Sequence, residues 1–331
     1  MEINTHRRVI VDERSQVFSV RQEARAAAAA AGLPANDGSR AELVATELGT
    51  NLVKHARAGE VLVRAIPGTT AQVELIAIDH GPGIADLARA FEDGVSSGSS
   101  PGTGLGAIRR LSDVFDIYSS TAGTVILSRV AADRTPPTAS GFDIGGVSLP
   151  VGGEPVSGDL WRAVAVADTL TLIVADGLGH GVSAHEAALA VLERADPALG
   201  PAEMMDLAHR SVRHTRGAAA AVAQVAAGRG TIRYAGIGNV SALVRSATSQ
   251  HQLVSVNGTL GHQVHAIREF SYDWARGSVL VMFSDGLSAR WDLSRYPGLD
   301  QRHPSVVAAV LYRDCSRRRD DVTVVVAREV A

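Results

Sequence analysis

The chain of 331 residues is long enough for two domains of ordinary size. Apolar residues make up 46% of it and aromatic residues only 4%, so we expect two cores packed mainly from Ala, Val, Leu and Ile. The net charge of −3, with both signs scattered, excludes a nucleic-acid-binding protein, and no apolar run is long enough for a membrane span. Because Cys315 is the only cysteine and the start lacks a signal-peptide pattern, we expect a cytoplasmic protein.

The first 130 residues alternate between helix and strand patterns. These patterns predict a strand at 7–11, helices at 13–31 and about 39–56, strands at 60–66 and 71–79, a helix near 105–113, and strands at 114–119 and 124–129. Such an order predicts a mixed sheet with helices on one face, which is a two-layer α/β domain over residues 1–130. A proline-rich polar tract containing Pro136 and Pro137 predicts a linker at 131–141.

Strand patterns dominate residues 142–331. The predicted strands are 147–151, 160–167, 169–176, 219–226, 230–236, 240–245, 279–284 and 322–327, interrupted by helices at 183–194 and 202–215. Short strands with turn signals and two helices predict stacked sheets flanked by helices. The whole chain is therefore expected to be an α/β protein of two domains.

A single lysine excludes two common ATP-binding architectures. Lys54 is the only lysine among the 32 basic residues, and it lies in a helical pattern between Val53 and His55. A P-loop needs Gly-Lys-[Ser/Thr], and an ordinary protein kinase needs a strand lysine on the phosphates. Any ATP chemistry in this chain must therefore use a different architecture.

Three segments of the first domain suggest a nucleotide site. Glu47 and Asn51 share one helix face, where an amide oxygen suits Mg²⁺ and a carboxylate one turn away can orient or deprotonate a nucleophile. Asp79 ends an apolar strand, where it can accept a hydrogen bond from adenine N6, and glycines follow it. Residues 102–106 open a helix whose free N–H groups suit phosphates. Each segment alone is commonly a polar face or a turn, but the three in this order predict a nucleotide pocket.

On these segments, residues 5–130 resemble the GHKL ATPases, the family of the Bergerat ATP-binding fold. The resemblance implies that Glu47 is the catalytic base, that Asn51 is a Mg²⁺ ligand, and that Asp79 reads adenine. It also implies ATP contacts from Gly81, Gly83, Gly102, Thr103, Gly104, Leu105 and Gly106.

Within that family, residues 91–94 (Phe-Glu-Asp-Gly), 104–106 (Gly-Leu-Gly) and 109–111 (Arg-Arg-Leu) are most similar to the RsbT/RsbW group of serine kinases and anti-sigma factors. In that group the kinase substrate is typically a Ser or Thr of a small STAS-domain protein. The resemblance therefore implies a STAS-domain partner, either an antagonist or a stressosome-like scaffold, with a sigma factor as a further candidate.

Aspartates recur at predicted strand ends in the second domain. They are Asp159, Asp176, Asp285, Asp320 and Asp321, and glycines follow the second and third. Crowded carboxylates repel one another unless a metal neutralises them, and oxygen-only ligands suit Mg²⁺ or Mn²⁺. Two such ions can activate a water and clamp a phosphate. Either Asp-Gly pair alone is more often a hairpin turn.

The segment from Asp176 to Gly181, Asp-Gly-Leu-Gly-His-Gly, instead leads into a helix. With the other aspartates it resembles the PPM metal-dependent Ser/Thr phosphatases, in their compact SpoIIE/RsbX-like branch, over about residues 142–330. The resemblance implies an α-β-β-α sandwich that holds two Mn²⁺ or Mg²⁺ ions. The implied ligands are the carboxylates of Asp159, Asp176, Asp285 and Asp320 and the backbone carbonyl of Gly177, with the neighbouring Asp321 as a further candidate.

The two resemblances together predict a bifunctional regulator of bacterial partner switching. Its first domain would bind Mg-ATP and phosphorylate a STAS-domain partner, and its second would dephosphorylate a phosphoserine or phosphothreonine on such a partner. Two alternatives stay open. The first domain can be an ATP-gated binding module, as in anti-sigma factors, or an ATP sensor attached to an active phosphatase.

Overall fold

The computed structural model describes residues 4–56, 59–68, 70–91, 104–134 and 141–330. The chain divides into two compact units, residues 6–138 and 139–331, and Asn4 and Thr5 group with the second unit. Within the described ranges, no helix is both long enough and apolar enough to cross a membrane.

The first domain places its helices against a five-stranded sheet. Its elements are β1 (Arg7–Ile10), α1 (Arg14–Ala31), α2 (Ala35–His55), β2 (Gly59–Ile66), β3 (Gln72–Asp79), α3 (Leu87–Ala90), α4 (Gly104–Leu111), β4 (Val114–Ser120) and β5 (Gly123–Ala131). The strand order is β1-β2-β3-β5-β4. The two-layer α/β class is confirmed, but every described pairing is antiparallel where a mixed sheet was expected. Short connections join β2 to β3 and β4 to β5, and such hairpins make neighbouring strands antiparallel.

One core lies between this sheet and the two long helices. Val73 and Leu75 alternate inward along β3, and the alanine run of α1 presents Ala24 and Ala28 to the same core. Helix α1 ends at Gly32, whose left-handed φ of 79° terminates the helix without a Cβ clash. This packing fixes α2, the helix that carries the first pair of candidate site residues.

A buried ion cluster surrounds Glu74 at the middle of β3. Arg64 on β2 and Arg129 on β5 stand beside it in register. The Glu74 carboxylate lies 2.7 Å from both Arg64 Nη2 and Arg129 Nε, and 3.2 Å from His6 Nε2. Burial alone would raise the pKa of Glu74, but the two guanidinium groups hold it well below its ordinary value.

Replacing Glu74 by alanine should lower the free energy of unfolding by about 3–5 kcal/mol, because two buried guanidinium groups lose their counter-charge. The pKa of Glu74 is lower in the folded chain than in the unfolded one. Its contribution is therefore fully present above the unfolded pKa, and it is lost as the pH falls through the folded pKa. Urea denaturation of the full chain at neutral and acidic pH measures both effects. Arg21→Ala, which removes an exposed ion pair with Glu42, is the control. Equal losses in the two variants would contradict the prediction.

The second domain contains eleven described strands and three helices. They are β6 (Phe142–Leu149), β7 (Asp159–Val166), β8 (Thr169–Gly177), α5 (Val182–Leu192), α6 (Pro201–Ser211), β9 (Ala218–Ala226), β10 (Thr231–Ile237), β11 (Ser241–Arg245), β12 (Gln250–Leu253), β13 (Ser255–Val256), β14 (Phe270–Asp273), β15 (Val279–Phe283), α7 (Pro304–Cys315) and β16 (Val322–Glu329). They form two sheets, β13-β10-β9-β8-β7 with β14 beside β10, and β12-β11-β15-β16-β6. The pairing of β10 with β13 is parallel.

The layers of this domain form an α-β-β-α sandwich, which confirms the expected architecture. One core fills the space between the sheets and includes Leu172, Tyr234 and Met282. Helices α5 and α6 pack on the outer face of the first sheet through a second core around Met205. Helix α7 packs against β6 and β16 of the other sheet.

The sequence patterns missed α7 and the short strands β12, β13 and β14. Helix α7 is buried on all sides between Pro304 and Arg313, so it lacks the amphipathic period that identifies a surface helix. The three strands are four, two and four residues long. In the expected linker, β5 extends through Ala131 and residues 132–134 form a short 3-10 turn. Residues 135–140, with Pro136 and Pro137, lie outside the described part of the chain.

Candidate functional sites

Helix α2 brings Glu47 and Asn51 against the first turn of α4. A Cβ added to Gly104 would lie 3.0 Å from Asn51 Oδ1 and 3.4 Å from Glu47 Oε2, so a larger residue would crowd both side chains. The Nδ2 atom of Asn51 is buried and has no hydrogen-bond partner among the described residues. An unpaired buried amide is costly unless a ligand satisfies it. These contacts therefore point to a binding site at the junction of α2 and α4.

Asp79 is the last residue of β3, and one of its two carboxylate oxygens accepts hydrogen bonds from the backbone. Its Oδ1 accepts hydrogen bonds from the backbone N–H groups of Gly81, at 2.7 Å, and Thr124, at 3.1 Å. Within the described ranges, Oδ2 has no hydrogen-bond partner. A fixed carboxylate with one open oxygen suits recognition of a single N–H donor on a ligand.

The predicted glycines of this site differ in what they contact. Gly83 has a φ of 77°, and a Cβ there would lie 2.1 Å from the carbonyl oxygen of Ser120, so the close approach to β4 requires glycine. Gly106 is buried within α4, and Leu105 packs its side chain against the first domain's core. Gly102 and Thr103 lie outside the described residues.

In the second domain, strand ends bring the predicted aspartates near one another. Asp159 at the start of β7 stands opposite Asp176 at the end of β8. Burial, and then the charges of Asp285, Asp320 and Asp321, raise the pKa of Asp176 to about 7. Burial and the neighbouring Asp176 likewise raise the pKa of Asp159 well above its ordinary value. The site is therefore crowded with negative charge, which a cation would offset.

Side chains from other elements orient these carboxylates. Ser284 Oγ donates to Asp159 Oδ2 at 2.5 Å and accepts a hydrogen bond from the Thr323 N–H at 3.0 Å. Asn239 Nδ2 donates to Asp285 Oδ2 at 2.7 Å. Both carboxylates are thus held from the side by a neutral polar group.

Asp321 and Gly177 fix the backbone around the site. The two oxygens of Asp321 accept hydrogen bonds from the N–H groups of Val151 and Gly158, both at 2.6 Å, which ties β16 to the segment before β7. A Cβ on Gly177 would lie 2.0 Å from the carbonyl oxygen of Ala184, so α5 can lie against the end of β8 only over a glycine. These contacts give both residues a structural role beside any role in metal binding.

The ligand set itself stays a prediction. No group of three or more His, Cys, Asp or Glu side chains within the described residues is arranged as a complete metal site. The histidines near the aspartates contact protein groups: His180 Nδ1 lies 2.7 Å from Glu154 Oε1, and His185 Nδ1 lies 2.8 Å from the Ser157 carbonyl. The oxygen donors of the five aspartates remain the best candidates for ligands.

Comparison with known proteins assigns each domain. The family model of the histidine kinase-like ATPase domain matches residues 10–129, and that of stage II sporulation protein E (SpoIIE) matches residues 167–329. The chain is 32% identical over 104 residues to serine/threonine-protein kinase RsbT of Bacillus subtilis (strain 168), covering 31% of this chain and 78% of that protein. The chain belongs to the RsbT/RsbW group of GHKL proteins. It carries a SpoIIE-type PPM phosphatase domain after the GHKL domain.

Two solved structures are similar to part of this GHKL–PPM chain. One is a solved structure described under the bacterial stressosome, a modular system that has been adapted to control secondary messenger signaling. It is 27% identical, covers 56% of this chain and 99% of its own, and has a TM-score of 0.53. The other is RsbX in complex with magnesium, which is 19% identical, covers 57% of this chain and 96% of its own, and has a TM-score of 0.49.

Sequence reasoning missed the side chains that orient the aspartates of the PPM domain. Ser284 directly precedes Asp285, yet its hydroxyl contacts Asp159, 125 positions earlier in the chain. Asn239 lies in a Gly-Asn turn between β10 and β11, a pattern typical of any tight turn. The adjacency of Ser284 to a predicted ligand was the only signal that pointed to either residue.

Proposed function

We propose that this chain is a bifunctional, cytoplasmic partner-switching regulator that adds a phosphoryl group to a STAS-domain protein and removes one from such a protein. The observation that carries the proposal is the presence of an RsbT-like ATPase domain and a SpoIIE-type PPM domain in one chain. The assembled polar residues of both domains support it. The regulated partner would be an antagonist or a scaffold of the STAS class, and a sigma factor would be a downstream partner.

In the first domain, the junction of α2 and α4 would hold the phosphates of ATP. Asn51 would supply an oxygen to Mg²⁺, and Asp79 Oδ2 would accept a hydrogen bond from adenine N6. ATP would supply its γ-phosphoryl group and leave as ADP, and Mg²⁺ would neutralise the phosphate charge. Glu47 Oε2 would take the proton of the partner's attacking hydroxyl. The buried Nδ2 of Asn51 has no partner among the described residues, and it would donate a hydrogen bond to a phosphate oxygen. This donor and the open oxygen of Asp79 support a bound nucleotide in this domain.

In the second domain, the carboxylates of Asp159, Asp176, Asp285 and Asp320 and the carbonyl of Gly177 would hold two Mg²⁺ or Mn²⁺ ions. The donor set fits these metals because it consists of oxygen atoms alone. When bound, the ions supply a water of lowered pKa and neutralise the phosphoryl charge. Ser284 and Asn239 would keep two of the carboxylates aimed at the site, and Asp321 would hold the surrounding backbone together.

The phosphatase half is tested with the full chain, Mn²⁺ and a phosphoserine STAS-domain protein. We expect inorganic phosphate to be released and EDTA to stop the release. No release from that protein or from p-nitrophenyl phosphate would contradict the phosphatase assignment.

The kinase half is tested by adding γ-labelled ATP to an unphosphorylated STAS-domain protein. Label transferred to its serine or threonine supports the proposal. A stable ATP-dependent complex without transfer would replace the kinase by an ATP-gated binding module. ATP can also change the phosphatase rate without any transfer of label. If that change persists in Glu47→Ala, the first domain is an ATP sensor rather than a kinase.

A further inference from the structure

Arg216 lies at the end of one sheet of the second domain where Asp159 and Asp176 also lie. Asp159, Asp176 and Ala219 stand side by side across β7, β8 and β9, and Arg216 comes two residues before β9 begins. Its guanidinium reaches back over the segment that follows Asp176, because Arg216 Nη1 lies 3.3 Å from the position of a Cβ on Gly179. A cationic side chain therefore lies over the segment that follows Asp176, at the end of the sheet where Asp159 and Asp176 meet.

The backbone that carries Arg216 is held on both sides. The Gly217 carbonyl accepts a hydrogen bond from the Leu178 N–H at 3.0 Å, which ties the segment to the one after Asp176. The Arg216 carbonyl contacts His262 Nε2 at 2.9 Å. Gly217 has a φ of 86°, and a Cβ there would lie 2.6 Å from the Leu260 carbonyl oxygen. The base of this side chain is therefore fixed beside the site by its neighbours.

Arg216 is exposed, and its guanidinium has no ion pair within the described residues. Nearby polar groups are engaged elsewhere: His180 pairs with Glu154, and the His262 ring contacts the Arg216 carbonyl. An arginine offers a rigid fork of donors that matches two oxygens of a phosphate monoester. A structural role for Arg216 would be indicated by burial of its side chain or by an ion pair. Neither is found for Arg216 within the described residues.

We propose that Arg216 binds the phosphoryl oxygens of the phosphoserine or phosphothreonine substrate at the mouth of the aspartate site. This inference rests on the proposed phosphatase function and names a substrate-binding residue for it. Metal ions can neutralise only the phosphoryl oxygens that face the carboxylates. The guanidinium would bind those that face outward, and it would also bind the inorganic phosphate product.

The test uses the full chain with saturating Mn²⁺ and the variants Arg216→Ala and Arg216→Lys. Three quantities are measured: KM for a phosphoserine STAS-domain protein, KM for p-nitrophenyl phosphate, and Ki for inorganic phosphate. A lost charged hydrogen bond at an exposed site predicts an increase of about 10-fold in all three for Arg216→Ala, with kcat changed much less. Arg216→Lys should give a smaller increase, because it keeps the charge but loses the fork.

Arg213→Ala is the matched control, since Arg213 is also exposed and lies three residues earlier in the same segment. It should leave all three quantities unchanged. An increase confined to the STAS-domain protein would overturn the proposal, because it would place Arg216 in contact with the protein rather than with the phosphoryl group. Unchanged constants, or a change in kcat alone, would overturn it as well. If the unmodified chain releases no phosphate, the proposed function itself fails, which is a separate result.

Discussion

Replacing Asp176 by asparagine should reduce phosphate release by about 10³-fold, because a metal site supplies several kcal/mol of charge stabilisation in the transition state. Asp176 stands opposite Asp159, and burial and the charges of three further carboxylates raise its pKa. Its own charge is therefore central to the cluster. Asparagine has nearly the same shape but lacks the negative charge. Phosphate release from a phosphoserine STAS-domain protein at a fixed Mn²⁺ concentration measures the loss.

The matched control for this variant is Asp168→Asn. Asp168 is exposed in the turn that joins β7 to β8, at the opposite end of the hairpin from Asp176. It should leave phosphate release unchanged. Binding of an ATP analogue should be the same in both variants as in the unmodified chain, because the residues proposed to bind ATP belong to the first domain. Retained phosphatase activity in Asp176→Asn, with an unchanged circular dichroism spectrum, would show that this aspartate is not a ligand.

Replacing Glu47 by glutamine should lower phosphoryl transfer to the STAS-domain partner by about 10²–10⁴-fold, the usual contribution of a general base. The affinity for ATP should change little, because Asn51 and Asp79 are intact. Transfer of label from γ-labelled ATP measures the first effect, and fluorescence titration with an ATP analogue measures the second.

Glu42→Gln is the control on the same helix. Glu42 lies five residues before Glu47 and forms ion pairs with Arg21 and Arg25. Its loss should have little effect on transfer, since exposed ion pairs contribute about 0–1 kcal/mol to stability. Full transfer by Glu47→Gln would assign the base to another group and would leave Glu47 as an ordinary polar residue of α2.

Periodicity in the sequence was informative wherever one face of an element is buried. Strand β8 runs from Thr169 to Gly177, against a predicted range of 169–176, and α1 runs from Arg14 to Ala31, against 13–31. Helix α7 could not be found in this way, because a helix buried all round has no polar face to mark its period. The direction of strand pairing in the first sheet depends on how the strands are connected. The periodicity of each strand by itself does not show this.

Some residues of the candidate sites could be predicted from the sequence, and others could not. Residues such as Asp176 stand next to glycines at the ends of apolar strands, and this local pattern made them visible. Ser284, Asn239 and Arg216 lie close to groups that are distant in the chain. Apart from the adjacency of Ser284 to Asp285, their neighbours in sequence carry no comparable signal. Only the register of β7, β8 and β9 shows that Arg216, Asp159 and Asp176 lie at the same end of one sheet.

The most direct measurement follows one labelled phosphoryl group through both reactions. The full chain, Mg²⁺, Mn²⁺ and a STAS-domain partner are incubated with γ-labelled ATP, and protein-bound label and free phosphate are measured over time. We expect label to pass through the partner to free phosphate in the unmodified chain and to accumulate on the partner with Asp176→Asn. With Glu47→Gln, label should reach the partner far more slowly. An Asp176→Asn chain that leaves the partner unlabelled would contradict the kinase half. Label that stays on the partner in the unmodified chain would contradict the phosphatase half.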